Sequence, residues 1–327
     1  FGDVHGGAGE LRALLRALTL IDDADDWRGG QTRLVSLGDL LDRGPDSRAV
    51  MDLLMKLEKQ AAADGGQLHM VLGNHEIMNL TGDLRYVSEA EYAAFAADED
   101  PGMRTAAYAA FSAELIREQD QNGPPPPPTD EPEPTPAELF DARFPPGYFA
   151  HRAAFSAAGR YGSWLLSKPQ VLTLENIAFV HGGLSEAFVS ESIDSFNVRA
   201  ERELRELLTT GTQLVAAGRL PRWQDLLTSG PVDGTPVPPS LLELRGALQF
   251  DRAGPSWYRG TAACHPLIER PRFEAVLEAR QLDRVVMGHT PTNPRVIQTR
   301  FEDRAVLADT GMYGSYYKGR PSAVIFD

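Results

Sequence analysis

The chain has a single cysteine in 327 residues, Cys264. That excludes an intrachain disulfide framework and a cysteine-rich zinc site, and Cys264 with its neighbour His265 reads as a buried thiol beside a surface histidine. Long apolar runs are missing as well. None approaches the roughly 18 residues of a membrane helix, so the chain reads as soluble, with no membrane partner. Positive charge is scarce: 32 Lys and Arg stand against 46 Asp and Glu, for a formal net charge of −14. A basic face for a nucleic-acid polymer is therefore not expected. A cluster of divalent cations would offset part of that acidity locally. There is no initiator methionine, and Phe1 falls inside what reads as a strand, so the expectation is that a segment precedes it. Any targeting signal would lie there, and the compartment, cytoplasmic or periplasmic, stays unknown.

What is present is ordinary globular composition, 42% apolar and 24% charged, in a chain long enough for a sizeable core. Short apolar runs each stop at a glycine flanked by ligand-type residues: TRLVSLGD (32–39), LHMVLGNHE (68–76), ENIAFVHGG (175–183) and DRVVMGHT (283–290), with FGDVHG as the stump of a fifth. Such runs predict buried strands. RAVLADTGM and SAVIFD near the end read as two more. GELRALLRALTLI and DSRAVMDLLMKLEKQAA carry apolar residues at spacings of three and four, the pattern of amphipathic helices, with Asp46 placed to cap the second. Asp3 to Asp39 is 36 residues and Asp39 to Asn74 is 35. Those intervals suit strand-helix units feeding a largely parallel sheet.

Two regions interrupt the alternation, 84–170 and 184–260, and both leave from points just after ligand-bearing strand ends. Loops so placed build lids or substrate pockets. The first is alanine-rich and helical, then breaks into the acidic, proline-rich stretch 123–136, which is expected to be exposed or disordered. The second mixes the helical RAERELRELLTTG with TSGPVDGTPVPPS.

Ligands of open α/β sheets gather at the carboxyl ends of strands. Asp3 and His5 would meet there with Asp39, Asn74, His181 and His289. Carboxylate, imidazole and amide oxygen suit Mn, Fe or Zn better than Ca, and the set is too large for one open catalytic ion. Two ions bridged by Asp39 use it economically: Asp3 and His5 complete one, and Asn74, His181 and His289 the other. Such a pair acidifies a bridging water and clamps a phosphoryl group for in-line displacement. Any one of these Asp-Gly or His-Gly pairs alone reads as a turn former. Five at successive strand ends point to a metal centre.

GDVHG, GDLLDRG, GNHE, HGG and GHT, in this order, resemble the phosphoprotein phosphatase family of calcineurin-like metallophosphoesterases. The resemblance implies an α/β fold, an αββα sandwich of two mixed β-sheets flanked by helices, with helical and Pro-rich insertions in a single domain, 1–327. It implies the same six metal ligands, two divalent or trivalent ions (Mn in vitro, or Fe or Zn), and a phosphorylated protein or peptide as substrate. His75 would protonate the leaving oxygen and Asp42 would hold that imidazole. Arg43, Asn74 and Arg259 would bind phosphate, Arg43 through its guanidinium fork. The nucleophile would be metal-bound hydroxide, so no phosphoenzyme forms. HRAAFSAAGRYGSWLLSKP, GPSWYRG and DTGMYGSYYKG look like the bacterial Shewanella-like branch, whose members favour phosphotyrosine, with phosphoserine or phosphothreonine as the other protein substrates. A dinucleoside polyphosphate or other small-nucleotide hydrolase shares the core motifs, and a phosphoprotein-binding scaffold without turnover is the reading from another class. A degenerate scaffold should lack Asp42, His75 or a ligand, and none is missing. Arg85, Tyr86 and Tyr313 are candidates for the substrate cleft. Glu76 is expected to orient a neighbour, and His69, His151 and His265 to be structural.

Overall fold

A computed structural model describes residues 1–122, 134–220, 223, 225–231 and 234–326. Most of the proline-rich stretch, 123–133, lies outside the described residues. Four of the five glycine-stopped runs, and RAVLADTGM, form strands where the apolar residues are; FGDVHG does not, and residues 1–7 run as a loop beside the smaller sheet. β1 (Arg33–Ser36) and β2 (Gln67–Met70) pair in parallel from Arg33 opposite Gln67 to Ser36 opposite Met70. The opening residues run beside this pair: Leu37 N–H donates to Phe1 O at 2.9 Å, and His5 N–H to Asp39 O at 2.9 Å.

The second sheet has five strands in the order β3-β4-β5-β7-β6, with β3 at Val171–Leu174, β4 at Ile177–Val180, β5 at Arg284–Met287, β6 at Gln298–Arg300 and β7 at Ala305–Leu307. β4, β5 and β7 are parallel, while β3 and β6 are antiparallel at the edges. This sheet is mixed; the smaller one, among the described residues, is a parallel pair.

Apolar faces decide the layering. Leu37 meets Phe179, Val286 and Val306 between the sheets, with Val35 packed against them. Outside the smaller sheet, α1 (Ala8–Ala17) buries Leu11, Leu14 and Leu15, and α2 (Ser47–Ala63) buries Val50, Leu54 and Leu57, the spacing of one helical stripe. Outside the larger sheet, helix Pro266–Arg280 buries Phe273, Val276 and Leu277. All strand ends that carry ligand-type residues therefore open toward one edge of a two-sheet sandwich.

The inserted regions are built differently from one another. Helices of 84–170 enclose an aromatic cluster of Tyr92, Phe111, Phe140, Phe144, Tyr148 and Phe149, which Trp223 of the second region joins. Helix Ile193–Ala216 instead sinks Leu204, Leu207 and Leu208 into the main core and Phe196 and Ala200 into the core of the larger sheet. It is part of the sandwich rather than an appendage.

Three further local expectations are corrected. SAVIFD is not a strand: residues 322–326 are irregular, and Val324 rests on the apolar patch between the sheets without joining either ladder. Asp46 occupies the cap position of α2 without a side-chain capping bond. Cys264 is exposed, since it ends the short surface helix Gly260–Ala263, and its neighbour His265 caps the next helix by accepting from Leu267 N–H.

Candidate active site

Four strand ends and the opening loop deliver the site. Asp39 follows β1, Asn74 and His75 begin α3 (Asn74–Thr81) after β2, His181 follows β4 and His289 follows β5. Asp3, His5, Asp39, His289, Asp42 and Arg43 all adopt left-handed φ, between 47° and 70°. Non-glycine residues pay on the order of 1–3 kcal/mol each for such strain, and the surrounding fold must hold them there. Two glycines matter through space rather than φ. A Cβ on Gly73 would collide with the Asp39 carboxylate, and one on Gly288 with that of Asp3.

The loops are fixed by one buried carboxylate. Glu76 accepts from the N–H groups of Asp39, Leu40 and Gly73, each at 2.8 Å, so it orients the chain that carries Asp39, as expected of it. Burial first, then the charge of Asp39, push Glu76 up to about 7.

Around Asp39 the lone pairs converge. His181 Nδ1 lies 2.8 Å from Leu37 O, which makes Nδ1 the donor and turns Nε2 inward. That Nε2 stands 3.1 Å from Asn74 Oδ1, 3.1 Å from His289 Nδ1 and 3.2 Å from Asp39 Oδ2. His5 is held likewise, Nδ1 at 3.0 Å from Leu41 O, with Nε2 3.7 Å from Asp39 Oδ2. Asp3 Oδ1 accepts from His289 N–H at 2.9 Å, while Asp3 Oδ2 and His289 Nε2 are buried with no partner among the described residues. Acceptors facing one another in this way make a site that a cation would satisfy. Two donor groups meet this geometry, Asp39 with His181 and His289, and Asp39 with His5 and His75. The second takes His75 where the sequence reading has Asp3.

Protonation follows the same logic. Burial works to raise Asp39, but His181 and His75 overcome it and hold the carboxyl well below the usual range. Burial opposes a charge on His181, yet Asp39 lifts it to about 9. Burial drives His5 down to about 3, and burial with the nearby His181 drives His289 down to about 2. Their surroundings favour neutral imidazoles, with lone pairs to offer. Asp3 is pushed well up, by burial and then by Asp309.

Beside this cluster stands a hydrogen-bonded acid. His75 Nδ1 lies 2.5 Å from Asp42 Oδ2, and Asn79 Nδ2 donates to Asp42 Oδ1 at 2.9 Å. His75 and Asn79 are four apart on α3 and share a face. Burial opposes protonation of His75, but Asp39 and Asp42 prevail and raise it.

Two arginines border the cluster. Arg259 Nη1 donates to His289 O at 2.9 Å and Thr290 Oγ1 at 3.1 Å. Arg43 lies over Tyr86 at 4.3 Å and donates from Nη1 to Tyr316 Oη at 2.8 Å. Tyr86 is also 5.1 Å from the His75 ring. Arg85 is engaged by Asp83 in a two-pronged pair at 2.7 and 2.8 Å, with its guanidinium 5.9 Å from the Tyr86 ring. Tyr313 packs beside Gly7, whereas Tyr316 reaches Arg43 and Tyr317 Oη stands 3.2 Å from His5 Nε2. Sequence reasoning missed Asn79, Tyr316 and Tyr317. The i+4 spacing from His75 was the available signal for Asn79; the run GSYYK carried none that ranked Tyr316 over Tyr313.

A family model described as calcineurin-like phosphoesterase matches residues 1–293. An uncharacterized protein of Schizosaccharomyces pombe is 27% identical over 326 residues, covering 96% of this chain and 73% of its own length. Shewanella-like protein phosphatase 2 of Arabidopsis thaliana is 43% identical over 88 residues, 27% of this chain and 22% of that protein. Shewanella-like protein phosphatase 1 of Plasmodium berghei is 25% identical over 203 residues, 62% of this chain and 43% of that protein. The chain thus matches less than half the length of either named phosphatase. Among solved structures, a cold-active protein-tyrosine phosphatase of a psychrophilic Shewanella species aligns with a TM-score of 0.60 and 23% identity, over 95% of this chain and 70% of that one, a likeness of fold. The relatives named from sequence are eukaryotic, so they do not carry the expectation of a bacterial source.

Proposed function

The chain belongs to the calcineurin-like phosphoesterase family, a metal-dependent phosphatase acting on phosphoric esters, and from that premise we propose that it dephosphorylates proteins, phosphotyrosine foremost. The observation that carries the reading is the Asn79–Asp42–His75 relay at the edge of the Asp39-centred donor cluster, with Arg43 and Arg259 bordering it. An acid, a cation site and anion grips within one cleft are what hydrolysis of a phosphomonoester requires.

Asp3, His5, Asp39, Asn74, His181 and His289 would hold two ions, and their converging lone pairs and orphaned oxygen fit Mn, Fe or Zn. When bound, the ions supply Lewis acidity toward the phosphoryl oxygens and the attacking water. The protein's own groups do the rest. Arg43 and Arg259 take phosphoryl oxygens and set the phosphorus in line. Asp42, itself fixed by Asn79, keeps the His75 Nδ1 proton in place and directs Nε2–H at the leaving oxygen. As the bond from phosphorus to that oxygen breaks, the Nε2 proton moves onto it, and the bond to the oxygen of the attacking hydroxide, a water whose proton has already gone to solvent, would form in the same step without a phosphoenzyme; His75 then regains a proton from solvent.

An aryl ester is favoured by the setting of Arg43. Tyr86 and Tyr316 flank it, at 37% and 55% exposure, so a ring whose phosphate reaches Arg43 meets aromatic faces on entry. Phosphotyrosine peptide, phosphoserine peptide and diadenosine tetraphosphate assayed side by side with Mn test the reading. Fastest turnover of the first is expected. Preference for the dinucleotide would move the chain to the small-nucleotide hydrolases, and turnover of none would leave the scaffold.

A further inference from the structure

Two ionisable side chains are sealed in the protein outside the ligand set, and no step above uses them. Glu91, on helix Glu89–Ala93, and His151, on helix Tyr148–Ala154, are both 0% exposed, with Glu91 Oε1 3.6 Å from His151 Nε2. Neither carboxyl oxygen and neither ring nitrogen has a hydrogen-bond partner among the described residues. Tyr92, Phe95 and Phe155 wall the imidazole at centroid distances of 5.3, 5.1 and 4.6 Å. The Asp42 carboxylate, the Asp42 amide and the Ser47 hydroxyl are the electrostatic neighbours of Glu91, none in strict hydrogen-bond geometry with it. Burial and then Asp42 push Glu91 well up, and burial with Arg152 takes His151 down to about 3, so the surroundings favour the neutral form of each. Two apolar side chains would fill this space without the cost of burying polar atoms.

The segment that ends at Glu91 borders the strained turn of the site. Asp42 and Arg43 stand in consecutive left-handed conformations, φ 70° and 67°. The strap formed by residues 86–91 holds that turn from outside: Arg43 N–H donates to Tyr86 O at 2.9 Å, and Ser88 Oγ donates to Gly44 O at 3.2 Å. Inside the turn, Asp42 N–H donates to Ser47 Oγ at 3.0 Å. Glu91 ends the strap, its N–H donating to Ser88 Oγ at 3.2 Å, and His151 stands beside its carboxyl.

We propose that Glu91, backed by His151, is a positioning residue for the acid: it pins the turn at 42–47 so that Asp42 meets His75, and the first inserted region thereby governs protonation of the leaving group. This rests on the reading of His75 as the acid of a phosphatase. The test compares phenyl phosphate, whose leaving group needs a proton, with p-nitrophenyl phosphate, which needs it far less, using the Mn-loaded protein. Glu91→Leu is expected to lose about ten-fold more kcat on the phenyl ester than on the nitrophenyl ester, a fraction of what losing an acid outright costs. Glu91→Gln, which keeps a neutral polar group of the same shape, is expected to retain the wild-type ratio. An unchanged ratio in a Glu91→Leu variant of normal metal content and Tm would overturn the proposal, because a merely structural role slows both esters alike. Should the leucine variant not fold, His151→Gln carries the same comparison with the same two outcomes. His75→Asn is the control: if it does not steepen the ratio, the acid assignment itself falls, and if it does while the Glu91 and His151 variants do not, only the positioning role falls.

Discussion

His289 N–H donates to Asp3 Oδ1 at 2.9 Å across 286 residues of sequence. The bond joins the opening loop to the end of β5, and it leaves Asp3 Oδ2 and His289 Nε2, both buried, free of partners among the described residues. Groups placed so are ligands in waiting. Chelation of the Mn-loaded protein is expected to abolish p-nitrophenyl phosphate hydrolysis, with Mn restoring it, and to lower Tm by roughly 5–10 °C. Scanning calorimetry before and after chelation checks the second part. Undiminished turnover by protein shown to be metal-free would remove the metal mechanism.

His75 is where the acid and ligand readings divide. Its Nε2 lies 3.9 Å from Asp39 Oδ2, near enough for its ring to be grouped with His5 as a donor. His75→Asn is expected to keep both metals and lose about 10²- to 10⁴-fold in kcat. Elemental analysis of the purified variant decides it: one metal missing makes His75 a ligand.

The pH dependence has a definite sign. Asp39 and Asp42 favour the charged imidazolium of His75, so its proton is held above the ordinary histidine range. The acid form is complete below that raised value and is lost as pH rises through it. Turnover of phenyl phosphate should therefore fall on the alkaline side. In His75→Asn that descending limb should vanish from the pH profile.

Arg43 cannot be replaced by another cation. Its fork donates to Tyr316 and stacks on Tyr86, a geometry an ammonium lacks. Arg43→Lys is expected to lose about 10- to 100-fold in kcat/KM, close to Arg43→Ala, since a charge-assisted bond of this kind carries about 1.5–3 kcal/mol. Steady-state kinetics on a phosphotyrosine peptide measure it, and a lysine variant near wild type would mean that Arg43 acts as a point charge.

Gly73→Ala and Gly288→Ala should each weaken metal binding and cost about 1–3 kcal/mol, because the new methyl meets a fixed carboxylate of the ligand set. Gly9→Ala, in a helix with nothing near its Cβ, is the control and should stabilise slightly. Denaturant melts with metal titrations separate the three.

The strand ends that carry the proposed ligands were legible because a short apolar run that stops at glycine has few other uses, and Asp39, Asn74, His181 and His289 each sit just past one. The role of glycine was only half legible. Gly38 turns the chain at φ 88°, but Gly73 and Gly288 are there to let carboxylates pass, which depends on partners 34 and 285 residues away in sequence. Tyr316, Tyr317 and the Glu91–His151 pair were hidden for the same reason: their meaning lies in what faces them across the fold. SAVIFD shows the converse failure. Its pattern has the apolar content of a strand, and pairing needs an open edge that the pattern does not contain.

The span between Asp3 and His289 also bears on how the protein comes into being. Contacts of such separation in sequence pay their loop-closure entropy before they return anything, so they form late. The cleft is completed only when the opening loop, β1, β4 and β5 have all docked, and a nascent or half-folded chain holds fragments of it at most. Enzymatic competence in this architecture is thus expected to be a readout of finished folding, with the last of the proposed ligands contributed by residue 289 of 327.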